Sequence, residues 1–408
     1  MPLTAATLLR VFIPFALGYF LSYVFRTVNA VIAPDLVAEI GLVPASLGLL
    51  TSAYFLTFAA FQLPLGLLLD RFGSRRVEAA LLLFAAAGAL LFARAESLAG
   101  LVTGRALIGL GVSACLMAAF KAFSTWFPPE RLPLANGVQM VSGGIGALTA
   151  TAPVEAALAF TDWRGIFLLL AGLTLAAAIA IFLMVPEGSG HRSQESLRQQ
   201  LQGLRTIFTS RAYWRLAPWA ILAQAAYLSI QGLWSGPWLR DVAGLDRAAA
   251  ADLLFLIALA MIAGYLGFGA LTDRLSRRGV APRTVATAGM GSFLLVQLLL
   301  LGHWQVATIP LWLLFGLSGT ASILPYAVIA QAFPRNLAGR ANTALNLPVF
   351  IAAFAGQWAI GAIIGLWPEV GGHYHPDGYR AGFGLLLLLQ GIAALWFWWG
   401  GRREAEGK

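Results

Sequence analysis

Long apolar runs, separated by short polar breaks, follow one another along the whole chain. Each run is about 20 residues long, the length that a helix needs to cross the hydrocarbon core of a bilayer. Glycine, proline and charged residues mark the breaks, so each boundary is set only to within a few residues. The twelve predicted spans are 9–33, 46–69, 77–95, 98–121, 135–158, 164–185, 214–236, 248–271, 283–302, 308–331, 341–366 and 381–400.

This pattern predicts an all-α polytopic membrane protein with twelve transmembrane helices in two six-helix bundles. Of 408 residues, 59% are hydrophobic and only 11% are charged. In soluble domains, about a quarter of all residues are charged. The first run is too long for a signal peptide and lacks a cleavage site, so we interpret it as a retained span. The longest polar interval divides the spans six and six. We therefore expect an N-terminal bundle over 1–185, a partly helical cytoplasmic linker over 186–213, and a C-terminal bundle over 214–408.

The distribution of positive charge predicts the orientation in the membrane. With both termini in the cytoplasm, twenty of the 27 Lys and Arg residues lie on the cytoplasmic side and five lie outside. Short cytoplasmic loops carry this kind of excess. The net charge of +9 is thus explained by topology and not by nucleic-acid binding. We expect a bacterial inner-membrane protein that works as a monomer.

Residues suited to catalysis or metal binding are scarce. The single cysteine, Cys115, lies in an apolar run and excludes a disulfide framework. His373 and His375 stand in a loop-like stretch and are by themselves a weak metal signal. No phosphate-binding GxxxxGK[ST] motif occurs. We therefore expect no enzyme activity, no metal and no cofactor.

The two halves of the chain repeat each other at a slowly growing offset. At an offset of 203 residues, Asp70 matches Asp273 and Arg71 matches Arg274. At an offset of 216 residues, Arg164 matches Arg380. Because these matches use charged residues at fixed spacing, they are harder to obtain by chance than matches of apolar residues. A duplicated unit with an even number of spans gives parallel repeats about an axis along the membrane normal.

Three motifs resemble those of the major facilitator superfamily. They are the loop GLLLDRFGSRR at 66–76, its degenerate partner LTDRLSRRG at 271–279 and the fourth-span segment GRALIGLG at 104–111. The resemblance covers essentially the whole chain, and residues 23–73 also resemble the organic-anion and organophosphate branches. It implies a secondary active transporter that works by rocker-switch alternating access.

The charge cluster in the 66–76 loop is interpreted as a latch between the cytoplasmic faces of the two halves. An acid at Asp70 suits the positive end of a helix dipole at span 11, with Arg71 and Arg131 paired to it. The alternative is that the arginines only anchor the topology. The predicted gating residues are Gly66, Asp70, Arg71, Gly73, Arg131, Asp273 and Arg274.

Arg26 lies deep in the first span, where a charge costs about 2.5–3.5 kcal/mol on insertion scales. We expect it to face a cavity and bind an anion, because a guanidinium can hold a carboxylate bidentately. The resemblance also places a carboxylate-binding arginine here, and a structural ion pair is the alternative. For Arg105, a structural or coupling role and direct binding of the solute stay equally open. Lys121 is expected to snorkel to the membrane surface.

The candidates in the C-terminal half are polar residues without charge. Gln224, Tyr227 and Gln231 share one helical face, which indicates either a polar cavity stripe or interhelical hydrogen bonds. The whole predicted substrate-binding set is Arg26, Tyr23, Asn29, Arg105, Gln139, Gln224, Tyr227, Gln231, Trp234, Tyr326, Asn342 and Asn346.

The route of energy coupling is left with two alternatives. The organic-anion branch often has acids where this chain has Phe25 and Val112, so proton symport by that route is in doubt. Either Glu155, which lies inside an apolar run, carries the proton, or the protein exchanges one anion for another. The expected partners are a small anionic solute, the lipid bilayer and, in the first case, protons. An efflux pump for an amphipathic or siderophore-like compound is the main alternative function, and a non-transporting receptor or scaffold is a remote one.

Overall fold

The computed structural model describes residues 8–128, 132–186, 197–302, 307–334, 337–369 and 371–406. Within these ranges the chain is almost entirely helical and has no β-strand. Helices occupy all twelve predicted intervals, and nine helices of the described part are long and apolar enough to cross a membrane. The all-α polytopic architecture is thus confirmed. The count of nine is lower than twelve because several predicted spans are interrupted or merged.

In the first half of the chain, the described residues form eight α-helices after a π-helical turn at Leu8–Phe12. They are α1 (Ile13–Thr27), α2 (Asn29–Ile40), α3 (Pro44–Arg94), α4 (Leu98–Gly111), α5 (Cys115–Trp126), α6 (Leu132–Thr149), α7 (Ala152–Ala157) and α8 (Trp163–Met184). Helix α3 contains two predicted spans, separated at Gly73, where φ is 78° and ψ is 159°. The first span is broken at Val28 and continues as α2 beyond its predicted end.

The described part of the second half forms nine α-helices. They are α9 (Leu197–Phe208), α10 (Arg211–Ser229), α11 (Ser235–Asp241), α12 (Arg247–Ser276), α13 (Pro282–Leu300), α14 (Thr308–Gly319), α15 (Leu324–Gln331), α16 (Ala338–Ile364) and α17 (Pro376–Glu406). A π-helical turn, Ile230–Trp234, joins α10 to α11, and a 3-10 turn, Thr320–Ile323, joins α14 to α15. Such turns locally change which face of a helix meets its neighbours.

Contacts between Cα atoms divide the chain into two compact units. The first contains the chain up to Leu42 together with Leu49–Leu197, and the second contains Val43–Gly48 together with the chain from Arg198 onward. The beginning of α3 is therefore grouped with the second unit. The domain boundaries expected from the sequence stay a prediction.

Glycines allow close helix crossings inside each unit. A Cβ atom on Gly88 of α3 would lie 2.7 Å from the carbonyl oxygen of Gly104 of α4, and one on Gly104 would lie 2.9 Å from that of Gly88. On α6, a Cβ on Gly143 would lie 2.6 Å from the ring of Tyr19. In the second unit, a Cβ on Gly316 would approach the carbonyl oxygen of Ile257 to 2.6 Å. Small residues at these crossings let the backbones pack directly, as is common in membrane bundles.

The first unit is tied together at one end by Glu39, the penultimate residue of α2. Trp163 donates its Nε1–H to Glu39 Oε2 at 2.6 Å, and Arg164 Nη2 lies 2.7 Å from Glu39 Oε1. Arg164 Nη1 also donates to the carbonyl oxygens of Ala93 and Ala95 at 2.9 and 2.8 Å. This clamp joins α2, the end of α3 and the start of α8.

The second unit repeats the clamp with different side chains. Tyr379 donates its hydroxyl hydrogen to Asp241 Oδ2 at 2.6 Å, and Arg380 Nε donates to the carbonyl oxygen of Leu301 at 3.1 Å. Tyr379 and Arg380 follow Trp163 and Arg164 by 216 residues, the offset at which the two arginines matched in sequence. The duplicated chain therefore places equivalent hydrogen bonds at equivalent places in each unit.

Candidate substrate site and gating loops

Arg26 lies near the end of α1 and is surrounded by aromatic rings of the first unit. Its Cζ is 4.6 Å from the ring centroid of Tyr23, 5.6 Å from that of Phe58 and 6.0 Å from that of Tyr54. The faces of aromatic rings attract cations at these distances. The side chain is half-buried, and the interruption at Val28 follows two residues later. The guanidinium is therefore held inside the unit by its surroundings.

Arg105 reaches the same cluster from α4. Its Cζ lies 5.2 Å from the ring centroid of Tyr54, and its Nη1 donates to the carbonyl oxygen of Phe25 at 2.7 Å. The side chain is only 1% exposed. Tyr54 also donates its hydroxyl hydrogen to the carbonyl oxygen of Ser22 at 3.3 Å. Arg105 thus braces the backbone that carries Arg26, and its direct contact with a solute stays a prediction.

Three other predicted residues of this half lie around α1. Tyr23 is buried and packs edge-on against Tyr19, with ring centroids 5.1 Å apart. Gln139 of α6 donates from Nε2 to the carbonyl oxygen of Phe15 at 3.1 Å. Asn29 is fully buried, and neither polar atom of its side chain has a hydrogen-bond partner among the described residues. A buried amide in this state requires a water molecule or a ligand.

The polar face of α10 packs inside the second unit. Gln224 accepts a hydrogen bond from the hydroxyl of Ser322, and Gln231 Nε2 lies 3.5 Å from the sulfur of Met261. Tyr227 is buried and stacks on Phe315, with ring centroids 5.5 Å apart. Gln224 and Gln231 thus make contacts between helices, and whether this face of α10 also lines a substrate cavity stays a prediction.

The remaining predicted residues of the second unit also bond within it. Trp234 is fully buried and donates its Nε1–H to the carbonyl oxygen of Gln357 at 2.9 Å. Tyr326 donates to Asn346 Oδ1 at 2.9 Å. Asn342 Oδ1 is buried and accepts no hydrogen bond within the part of the chain that the structure describes. Their contribution to substrate binding stays a prediction.

The first charged loop is anchored to α5 by an ion pair between Asp70 and Lys121. Lys121 reaches the carboxylate of Asp70, and Arg71 lies over the ring of Phe72, with Cζ 5.3 Å from its centroid. Helix α5 brings the long side chain of Lys121 to the carboxylate. Arg131 lies outside the described residues. The gating roles of Asp70, Arg71 and Arg131 stay predictions.

The second charged loop has a different arrangement. Asp273 pairs with Arg277 on its own helix, with Arg277 Nη2 2.8 Å from Oδ2, and Arg274 is exposed. In the first half, Gly66 lies within α3 and Gly73 interrupts that helix, whereas in the second half α12 continues to Ser276 and the left-handed turn comes at Gly279, with φ of 84°. Among the described contacts, only the first loop links its aspartate to another helix.

Glu155, the predicted coupling residue, is half-buried on the six-residue helix α7. Sequence reasoning treated it as the one acid inside an apolar run of the N-terminal half. That description also fits Glu78, the second residue of the predicted span 77–95, which is fully buried. The sequence already places Glu78 within a predicted span, but Arg75 and Arg76 just before it make this segment resemble a polar loop. The coupling role of Glu155 stays a prediction.

Helical units that are apolar outside, a duplicated charged loop and an arginine held among aromatic rings together define a membrane transporter and not an enzyme. The family model of the Major Facilitator Superfamily matches residues 15–357. The chain belongs to this superfamily, and it is an integral membrane protein.

Comparison with known proteins finds relatives that are named as transporters of sulfoacetate and of hexuronate. It is 27% identical to the "Probable sulfoacetate transporter SauU" of Cupriavidus necator over 279 residues, 64% of each chain. It is 26% identical to the "Hexuronate transporter" of Escherichia coli K12 over 271 residues, 61% of this chain and 62% of that one. The match thus spans less than two thirds of either relative. A crystal structure of a bacterial homologue of the human lysosomal transporter Spinster has the same fold, with a TM-score of 0.76, 17% identity and 96% of both chains covered.

Proposed function

We propose that the protein moves a small organic anion across the bacterial inner membrane by alternating access. The observation that carries this proposal is the guanidinium of Arg26, held among Tyr23, Tyr54 and Phe58 inside the first unit. A guanidinium presents a planar fork of donors that matches a carboxylate, sulfonate or phosphate group. Asn29, one turn further along the chain, adds buried amide atoms that a bound solute would satisfy.

The relatives support an anionic solute. Sulfoacetate and hexuronates, which their names give as transported compounds, both carry acidic groups that are ionised at neutral pH. They differ in size and in the type of acid, so the shared chemistry is the negative charge. We therefore propose the class of organic anions and not one particular compound.

The test is a thermal-shift screen of purified protein with sulfoacetate, glucuronate and related anions, followed by flux into proteoliposomes. An anion that stabilises the wild type should bind about a hundredfold more weakly to Arg26→Ala. This is the loss expected for two charge-assisted hydrogen bonds. Arg26→Lys should restore little, because an ammonium cannot replace the bidentate fork. Arg94→Ala, which removes an exposed arginine, is the matched control. Normal binding by Arg26→Ala would exclude this anion site.

The aromatic rings around Arg26 also favour a second candidate, export of an amphipathic anion. Tyr23, Tyr54 and Phe58 offer an apolar surface beside the charge, which suits a compound with both characters. Everted and right-side-out vesicles separate the two directions. Import predicts uptake into right-side-out vesicles only, and export predicts uptake into everted ones.

A further inference from the structure

One carboxyl group lies sealed inside the first unit. Glu78 of α3 has no exposed surface, and the thiol of Cys115 is the one described side chain that hydrogen-bonds with its carboxyl. It follows the interruption at Gly73 by five residues, which at 1.5 Å per residue corresponds to about 8 Å along the helix. The carboxyl therefore lies a little more than one turn inside the protein from the charged loop.

The groups around this carboxyl are uncharged. Gly18 of α1 faces it so closely that a Cβ on Gly18 would lie 2.5 Å from Glu78 Oε1 and 3.7 Å from Leu82 Cδ1. Cys115 of α5 is the one titratable side chain in the described structure that acts on Glu78. No described Lys, Arg or His forms an ion pair with it.

A carboxylate cannot be stable in these surroundings without a change in the structure. Burying an unpaired ion costs several kcal/mol even after relaxation, so the carboxyl is buried with its proton attached. Losing that proton requires water or a cation to reach the site. The protonation of Glu78 and the local opening of α1, α3 and α5 are therefore linked.

We propose that Glu78 binds the proton that drives solute movement. This inference rests on the proposed function, because the solute is the partner of the proton in the coupled cycle. A proton taken up from water forms the neutral carboxyl of the sealed state. When the site opens, the same proton returns to water and leaves the carboxylate hydrated. The Asp70–Lys121 pair lies on the same two helices nearer the loop, which makes the loop face the shortest exit.

The partly exposed Glu155 fits this task less well. It is half-buried on the short helix α7, whereas Glu78 is enclosed between three helices. An ionisable group inside a membrane protein is a functional candidate by default, and the more enclosed group carries the larger penalty for its charge. The experiment therefore compares the two acids directly.

The first test uses proteoliposomes with sulfoacetate and glucuronate as probe anions. Glu78→Gln keeps the shape of the side chain and removes the titration. It should lower pH-gradient-driven accumulation by about tenfold or more, a typical coupling factor, while counterflow exchange stays within about twofold of the wild type. Glu96→Gln, which changes an exposed acid just after α3, is the control and should keep both activities. Glu155→Gln is measured beside them, because the sequence predicts the same coupling role for Glu155. Full pH-driven accumulation by Glu78→Gln, its loss in Glu155→Gln alone, or wild-type transport that ignores the pH gradient would each overturn the proposal.

The second test does not depend on the solute. Infrared spectra of the wild-type protein at neutral pH should show the C=O stretch of a protonated, enclosed carboxyl. Glu78→Gln should remove this band, whereas Glu155→Gln and Glu96→Gln should retain it. Gly18→Ala should shift the band, because the added methyl group presses on the Glu78 carboxyl. If the band is present but neither probe anion is moved, the proposed function fails while the protonated site stands. If the wild type lacks the band, the assignment of Glu78 is wrong, even where Glu78→Gln does not fold.

Discussion

Tyr54 lies near two guanidinium groups of the same sign inside the first unit. The Cζ atoms of Arg26 and Arg105 lie 6.0 and 5.2 Å from its ring centroid. The π face of an aromatic ring attracts a neighbouring cation, which favours both the half-buried Arg26 and the buried Arg105. A single bound anion would lower the remaining repulsion, and this explains why a site for an anion suits this part of the molecule.

At the same scale, Glu39 predicts an effect of pH on stability. The hydrogen bonds from Arg164 and Trp163 hold the pKa of the Glu39 carboxyl below its ordinary value. A lowered pKa in the folded state contributes stability above the ordinary value of about 4.3, and that contribution is lost as the pH falls through the lowered value. Thermal unfolding followed by circular dichroism should therefore show a modest contribution of Glu39 to stability that is lost in acid. Glu39→Gln should be less stable than the wild type at neutral pH and less sensitive to acid, and parallel acid curves for the two proteins would contradict this.

At the scale of the helix, the ion pair between Asp70 and Lys121 links the interrupted helix α3 to α5. The φ of 78° and ψ of 159° at Gly73 belong to a region that residues with a side chain almost never adopt. The glycine therefore allows α3 to turn sharply, and the ion pair fixes where the turn lies relative to α5. In the second loop Ser276 stands at the place of Gly73, and α12 continues up to that residue without a sharp turn.

We expect Asp70→Asn to reduce solute flux in proteoliposomes severely without preventing membrane insertion. The substitution removes the charge that holds the first loop to α5, and Lys121→Met should have a similar effect. Asp273→Asn is the matched control, because Asp273 pairs only with exposed Arg277 one turn away, an interaction worth about 0.3–0.5 kcal/mol. Equal losses from Asp70→Asn and Asp273→Asn would show that the ion pair to α5 is not the important contact.

Hydropathy was enough to predict where the helices lie, because each crossing must satisfy its own backbone within the bilayer. It could not predict their interruptions. Pro34 lies inside the continuing helix α2, while the break occurs at Val28, where no proline or glycine signals it. The partner of Asp70 also depends on which helix packs beside the loop. Lys121 is 51 residues away in sequence, and nothing local distinguishes it from Arg71 or Arg131.

At the scale of the whole molecule, the charged loops and the two clamps mark opposite ends of the helices. In the first unit, the part of α3 after Gly73 runs from the charged loop to the clamp at Glu39 and Arg164. In the second unit, the charged loop is likewise followed along the chain by a helix that ends near its clamp. The positive-inside rule predicts that the loops lie in the cytoplasm. We therefore expect the clamps on the outer face of the membrane.

Epitope insertions test this orientation. A tag after Arg278, in the exposed second loop, should bind antibody only in everted vesicles, whereas a tag after Thr161, next to the first clamp, should bind only in right-side-out vesicles. Exposed loop tips tolerate such insertions best. Transport by each tagged protein controls for correct folding. Binding of both tags from the same side of the membrane would contradict the orientation that the charge distribution predicts.

The isolation of Cys115 has a practical consequence for spectroscopy. It is the single cysteine of the chain, and only 1% of it is exposed. Nitroxide or fluorophore pairs can therefore be attached to engineered surface cysteines while the native thiol stays in place and unlabelled. Replacing Cys115 first, as a cysteine-free background would require, would change the packing beside Glu78 in every labelled protein. Interspin distances for the transport cycle are best measured with the native thiol retained.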